Sequence, residues 1–214
     1  MQSKQLQRIL SEYESVPLVQ EKIASYFEKN KGAVCYLEVC EENNWKLIFD
    51  HLTIRTYSIE EASKPYENLG WKYDEKIDYR NEGWYAQIYR HSSFAPMFID
   101  QSYEDAPENL KIVKKWVDKF GDKDFHHIAV QLPQGVDIED AIEKLETKGV
   151  KFPGKITGGK NTRLRQIFTQ AEQIDGLPFS VLELAQRGTD KETGNLYLGF
   201  ITDQADSLMK DSVL

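Results

Sequence analysis

The sequence predicts an α+β fold in which two βαβββ modules form a cupped half-barrel of mixed, mostly antiparallel sheet, preceded by an N-terminal helical extension. Three observations carry this. Apolar residues recur at helical spacing over residues 4–30. A strand-then-helix string is written twice, and each copy is followed by short runs rich in Tyr, Phe, Ile and Trp that turn residues set apart.

In the extension, Leu6, Ile9, Leu10, Tyr13, Leu18, Ile23 and Phe27 mark the helical face, and Pro17 breaks or opens a helix midway. Residues 33–40 alternate less cleanly and end in EENN, a pattern compatible with helix or strand. In the first copy LIFDHLTIRT precedes SIEEASKPYENLGWK; in the second KDFHHIAVQL precedes DIEDAIEKLETKGVK. Ile59, Ala62, Gly70 and Lys72 match Ile138, Ala141, Gly149 and Lys151 at one offset of 79 residues, while His51 and His127 differ by 76. The discrepancy falls in the PQG loop, where an insertion costs little. KYDEKIDY, GWYAQIYR and APMFIDQ then read as strands of the first copy, LRQIFTQ and FSVLELAQR as strands of the second. The expected boundaries are 1–45 for the extension, 46–120 for the first module, and 121–214 for the second module and tail. Neither copy could bury its sheet face alone, so one compact domain is expected.

With 40% hydrophobic and 29% charged residues over 214 positions, the chain falls in the globular range and is long enough for a substantial core. Its 27 basic and 35 acidic residues give a net charge of −8 with no basic stripe, which argues against nucleic acid as a partner. An anionic ligand would need a local cation in its pocket. Cys35 and Cys40 form neither a CxxC pair nor a disulfide framework, and MQSKQLQRIL lacks the apolar core of a signal peptide. No apolar run reaches the roughly 18 residues of a membrane span. A cytoplasmic chain without membrane contact is therefore expected.

Strand alternation locates a site. In DHLTIRT, His51, Thr53 and Arg55 share one face, and Asp50, Leu52 and Ile54 the other. With the helix packed on the Leu52 and Ile54 side, His51 and Arg55 point into the cup. Aligning Phe49-Asp50-His51 with Phe125-His126-His127 selects His127 as the inward histidine and gives His126 the place of Asp50. In SVLELAQR, Glu183, Ala185 and Arg187 share a face of an otherwise apolar strand, where a buried carboxylate needs a cationic partner. Two histidines and one carboxylate make the facial triad of non-haem Fe(II) oxygenases, and Zn, Mn or Ni could occupy the same groups. Asp100 holds in the first copy the place of Glu183 and is a candidate fourth ligand or ligand support; His91, in YRHSSF, is a candidate loop contact. ITGGK reads as a turn.

This pattern resembles the vicinal-oxygen-chelate superfamily of glyoxalases, bleomycin-resistance proteins and dioxygenases over roughly Lys46 to Phe200. RQIFTQ, VLELAQRG, GNLYLGF and HHIAV resemble the 4-hydroxyphenylpyruvate dioxygenase family. The DHxxxRT strand and APMFIDQ resemble the family of 2-oxoadipate dioxygenase/decarboxylase. The resemblance implies His51, His127 and Glu183 as metal ligands, Arg55 as anchor for a substrate carboxylate and Gln166 as a polar substrate contact, with no catalytic residue beyond the metal centre. It implies Fe(II), a 2-oxo acid and O2 as cofactor and substrates, and oxidative decarboxylation with hydroxylation as the reaction. A glyoxalase-like isomerase, lyase or hydrolase, or a non-catalytic binding module, are the alternatives.

Overall fold

The computed structural model describes residues 3–160, 162–189 and 193–200. They contain six α-helices and eight strands. The polar tail assigned to the second module, residues 201–214, lies outside the described residues.

Three helices make up the extension. α1 (Lys4–Glu12) starts at Ser3, whose hydroxyl accepts from the Gln5 N–H at 3.2 Å, and buries Leu6 and Ile9. α2 (Pro17–Lys29) begins at Pro17, so the proline opens a helix; a first-turn N–H would have had no partner within the helix anyway. α3 (Lys31–Glu42) shows the ambiguous stretch to be helical. Asn30 caps it by accepting from Ala33 N at 2.8 Å, and Ala33, Tyr36, Leu37 and Cys40 line its buried face at helical spacing. Two contacts fasten these helices to the last strand. The Tyr26 hydroxyl donates to the Val181 carbonyl, and the Asn30 amide donates to the Ser180 hydroxyl at 3.0 Å.

The repeat is present as strand, helix, three strands, twice. The first copy is β1 (Phe49–Arg55), α4 (Ile59–Asn68), β2 (Lys72–Tyr79), β3 (Trp84–Arg90) and β4 (Met97–Ser102). The second is β5 (Asp124–Gln131), α6 (Ile138–Glu146), β6 (Leu164–Phe168), β7 (Glu172–Ile174) and β8 (Leu177–Arg187). Between them lies α5 (Ile112–Phe120), which has no counterpart among the described residues and was not anticipated from the sequence. α4 is capped by Ser58, which accepts from Glu61 N at 3.3 Å, and carries Glu60 and Glu61 in its first turn, where the helix dipole favours them. Gly70 and Gly149 follow α4 and α6 with φ of +105° and +84°, the left-handed turn that ends a helix most cheaply at glycine. At Gly70 a side chain would also collide, since a Cβ would stand 2.9 Å from His91 Nε2.

Neighbouring strands follow the order β2-β3-β4-β1-β5-β8-β6, with β7 paired to β8. β1 and β4 run parallel, with Arg55 opposite Asp100, whereas β3 and β4 run antiparallel, with Ala86 opposite Asp100. β6 and β8 run antiparallel, placing Gln166 opposite Ala185 and Phe168 opposite Glu183. The α+β class and the mixed sheet expected from the sequence are what the chain forms.

The chain divides into two compact units, residues 51–128 and residues 1–50 with 129–214, and the divisions fall within β1 and β5. The first is built on Leu52, Ile54, Ile88, Met97, Ile99, Val113 and Ile128, all fully buried. The second is built on Val19, Ile23, Tyr36, Leu47, Val130, Ile138, Leu145, Val181, Leu182 and Leu184, equally inaccessible. Each such side chain contributes about 1.5–3 kcal/mol on leaving water, so packing rather than surface pairing stabilises both.

Candidate metal centre

β1 is buried along its whole length, so its polar residues must find partners inside the protein. Alternation gives His51, Thr53 and Arg55 a common side, and two of them meet His127 on β5. The Thr53 hydroxyl lies 2.9 Å from His127 Nε2, and His51 Nε2 lies 3.4 Å from the same atom. The His51 ring rests on Phe98, with centroids 4.6 Å apart. Burial, then repulsion from His51 and Arg55, holds the His127 pKa well below the ordinary imidazole range. His127 is therefore neutral near pH 7, the form that offers a lone pair to a cation.

Glu183 sits in the middle of β8, buried, with Leu182 and Leu184 inaccessible on either side. The Gln166 amide donates to its Oε1. Gln166 is thus in contact with the carboxylate. His51 and His127, in one unit, and Glu183, in the other, are each buried and each of a kind that ligates a metal ion. The donor set fits one. Two nitrogens 3.4 Å apart can both stand about 2.1 Å from a single ion, and two imidazoles with a carboxylate suit a first-row divalent metal.

Arg55 and Asp100 lie opposite one another on β1 and β4, both buried. Burial lowers the Arg55 pKa to about 10, against the stabilising pull of Asp100. Burial likewise pushes Asp100 up to about 7, against the pull of Arg55 and His51. The Arg55 guanidinium lies 5.5 Å from the Trp116 ring centroid, a cation–π contact supplied by α5. Asp100 therefore accompanies Arg55 and His51 in the geometry.

Two placements differ from the simplest alternation argument. His126, given the outward place of Asp50, is buried: its Nδ1 lies 2.9 Å from His127 Nδ1 and its ring meets Trp116 edge-on at 5.9 Å. Arg187, expected to share a face with Glu183, turns its guanidinium onto Asp50, with Nε to Oδ2 and Nη2 to Oδ1 both at 2.7 Å. Alternation assigns faces, but side-chain length and sheet twist decide which charges meet. His91 is in a loop, as anticipated, and its ring packs 4.7 Å from both Trp71 and Phe94 while Nδ1 accepts from Ser93 N. Thr53 was visible as a polar residue between His51 and Arg55, and its part became evident only from its contact with His127.

No curated protein matches the sequence. Among solved structures, the hydroxyglutarate synthase of Oryza sativa in complex with 2-oxoadipate aligns with TM-score 0.74 and 13% identity over 100% of this chain and 94% of that one. A protein of Shewanella frigidimarina NCIMB 400, whose name proposes a hydrolase, aligns with TM-score 0.72 and 18% identity over 88% of this chain and 98% of that one. A mutant of the 4-hydroxymandelate synthase of Streptomyces coelicolor aligns with TM-score 0.62 and 15% identity over 78% of this chain and 54% of that one. At such identities the likeness is one of fold. The model of the Glyoxalase/Bleomycin resistance protein/Dioxygenase superfamily matches residues 48–176, more than half of the chain and both copies of the strand–helix string, and the chain belongs to that superfamily.

Proposed function

We propose that the protein is a non-haem Fe(II) enzyme that converts a 2-oxo acid by oxidative decarboxylation and hydroxylation with O2. The observation that carries this reading is the pair of buried imidazoles, His51 and His127, which present nitrogens 3.4 Å apart. Their likeness to the 2-oxoadipate and 4-hydroxyphenylpyruvate dioxygenase families, and the shared fold of a structure that holds 2-oxoadipate, support the substrate class.

In this reading His51, His127 and Glu183 hold the metal, which supplies Lewis acidity and one-electron chemistry towards O2. The rest of the work falls to the chain. Gln166 fixes one carboxylate oxygen of Glu183 so that the other keeps its direction, and its own carbonyl is available to a substrate. Arg55 supplies the positive charge that an anionic substrate requires in a protein of net charge −8. Asp100, beside it, tempers that charge and keeps the guanidinium in place. Phe98 and the apolar residues around β1 exclude water, which strengthens each of these electrostatic contacts.

The test is anaerobic loading with Fe(II), addition of a panel of 2-oxo acids, and then exposure to O2. The expected result is a 2-oxo-acid-dependent absorption band before oxygen, followed by O2 consumption and CO2 release in equal amounts. Absence of both with every 2-oxo acid, or full turnover with Zn and no iron, overturns the proposal.

A further inference from the structure

We propose that His126 is a positioning residue that keeps the ring proton of His127 on Nδ1 and so leaves His127 Nε2 open to a metal ion, an inference that rests on the metal-site reading above. The two Nδ1 atoms are 2.9 Å apart, and a hydrogen bond of that length between two imidazoles holds one proton. One ring donates and the other accepts. Nδ1 is the ring nitrogen nearer the backbone, which is how side chains leaving one strand by opposite faces can still meet.

The direction of the bond follows from the other end of His127. Its Nε2 faces Thr53 Oγ1 at 2.9 Å and His51 Nε2 at 3.4 Å. A proton on Nε2 would occupy the space into which the two histidines converge and would turn the only lone pair of the ring away from it. With the proton on Nδ1, the Thr53 hydroxyl or a cation can use the Nε2 lone pair. His126 then accepts at Nδ1 and carries its own proton on Nε2. A ligand histidine whose second nitrogen donates to an acceptor is better oriented and more basic at the ligating nitrogen. That acceptor is commonly a carboxylate or a carbonyl; here an imidazole takes the part.

The acceptor is itself held. His126 is buried, and its ring stands at 90° to Trp116 with centroids 5.9 Å apart. Trp116 lies on α5 and also receives the Arg55 guanidinium at 5.5 Å. A helix between the two copies thus supports a histidine that replaces the first-copy Asp50.

Long-range 1H–15N correlation spectra of the metal-free, 15N-labelled protein read both tautomers directly. His127 is expected as the Nδ1–H form and His126 as the Nε2–H form; the reverse assignment overturns the proposal. Competition titrations with Co(II) and Zn(II) supply the second readout. His126→Phe keeps ring volume without an acceptor and is expected to bind about 10–100-fold more weakly. His126→Asn, whose side-chain oxygen can accept, is expected to stay within about threefold of the original protein. His126→Phe binding as tightly as the original protein, or His126→Asn as weakly as His126→Phe, overturns the assignment. An unmodified protein that takes up neither ion overturns the metal-site reading, whereas the tautomers of the metal-free protein judge the His126 assignment separately.

Discussion

Asp100 and Glu183 occupy equivalent strands of the two modules, and the chain surrounds them differently. Asp100 on β4 stands opposite Arg55, a permanent cation, and near His51. Glu183 on β8 receives the amide of Gln166, a neutral donor. A carboxylate set against a guanidinium faces a full charge, while one that receives an amide is oriented by a neutral dipole. Duplication supplied two buried acidic positions, and their neighbours separated them into a charge partner and a proposed ligand.

The largest expected effect breaks this comparison directly. Glu183→Gln should lower metal affinity by about 100-fold or more, close to 2.7 kcal/mol, and His51→Ala should abolish uptake, whereas Asp100→Asn should keep a full complement of metal by mass spectrometry. Equal depletion in the Asp100 variant would erase the distinction. Next in size is the pair behind the site. Asp50→Asn strands the Arg187 guanidinium in a setting where both side chains are at most 3% exposed, and denaturant titration should show a loss of about 3–5 kcal/mol. A change below about 1 kcal/mol would mean that Arg187 finds another partner without cost.

Gln166→Leu sharpens the role of the neutral donor. Metal affinity should fall about tenfold with folding intact, because the carboxylate loses orientation and not charge. Unchanged affinity would assign Gln166 to substrate alone. The smallest effect concerns Glu139, whose pKa the Arg165 guanidinium lowers to about 2 through contacts of 2.6 and 2.8 Å. Its folded-state pKa lies below the unfolded value, so the stabilisation is complete above about pH 4.5 and is lost as pH falls towards 2. The Glu139 side chain is 42% exposed, so screening limits the contribution to about 0.5–1 kcal/mol. Glu139→Gln should therefore cost that much at neutral pH and progressively less as pH falls through about 2, as read by thermal unfolding across the range.

These expectations rest on features of unequal legibility in the sequence. The repeat, the strand parity of His51 and the choice of His127 were readable because alternation and duplication leave marks at fixed spacing. The pairing of Asp50 with Arg187 was not, since 137 positions separate them and face assignment says nothing about register. α5 was missed because it lies outside the strand and helix strings that repeat, and with it went Trp116 and the support it gives His126 and Arg55. Residues 33–40 stayed ambiguous until Asn30 proved to be a helix cap, since a short apolar run carries no clear period.

The hydrogen bonds from Tyr26 and Asn30 to Val181 and Ser180 have a consequence in time as well as in structure. They tether β8 to α2 and α3 two to three residues before Glu183, while β6 holds the same strand through Phe168 and Gln166. Amide exchange at such a doubly fastened segment requires the helices and the ladder to release together, an opening drawn from the slow end of the native ensemble. The carboxylate thus rides on a slow-exchanging part of its unit, and the first forty residues act as its anchor.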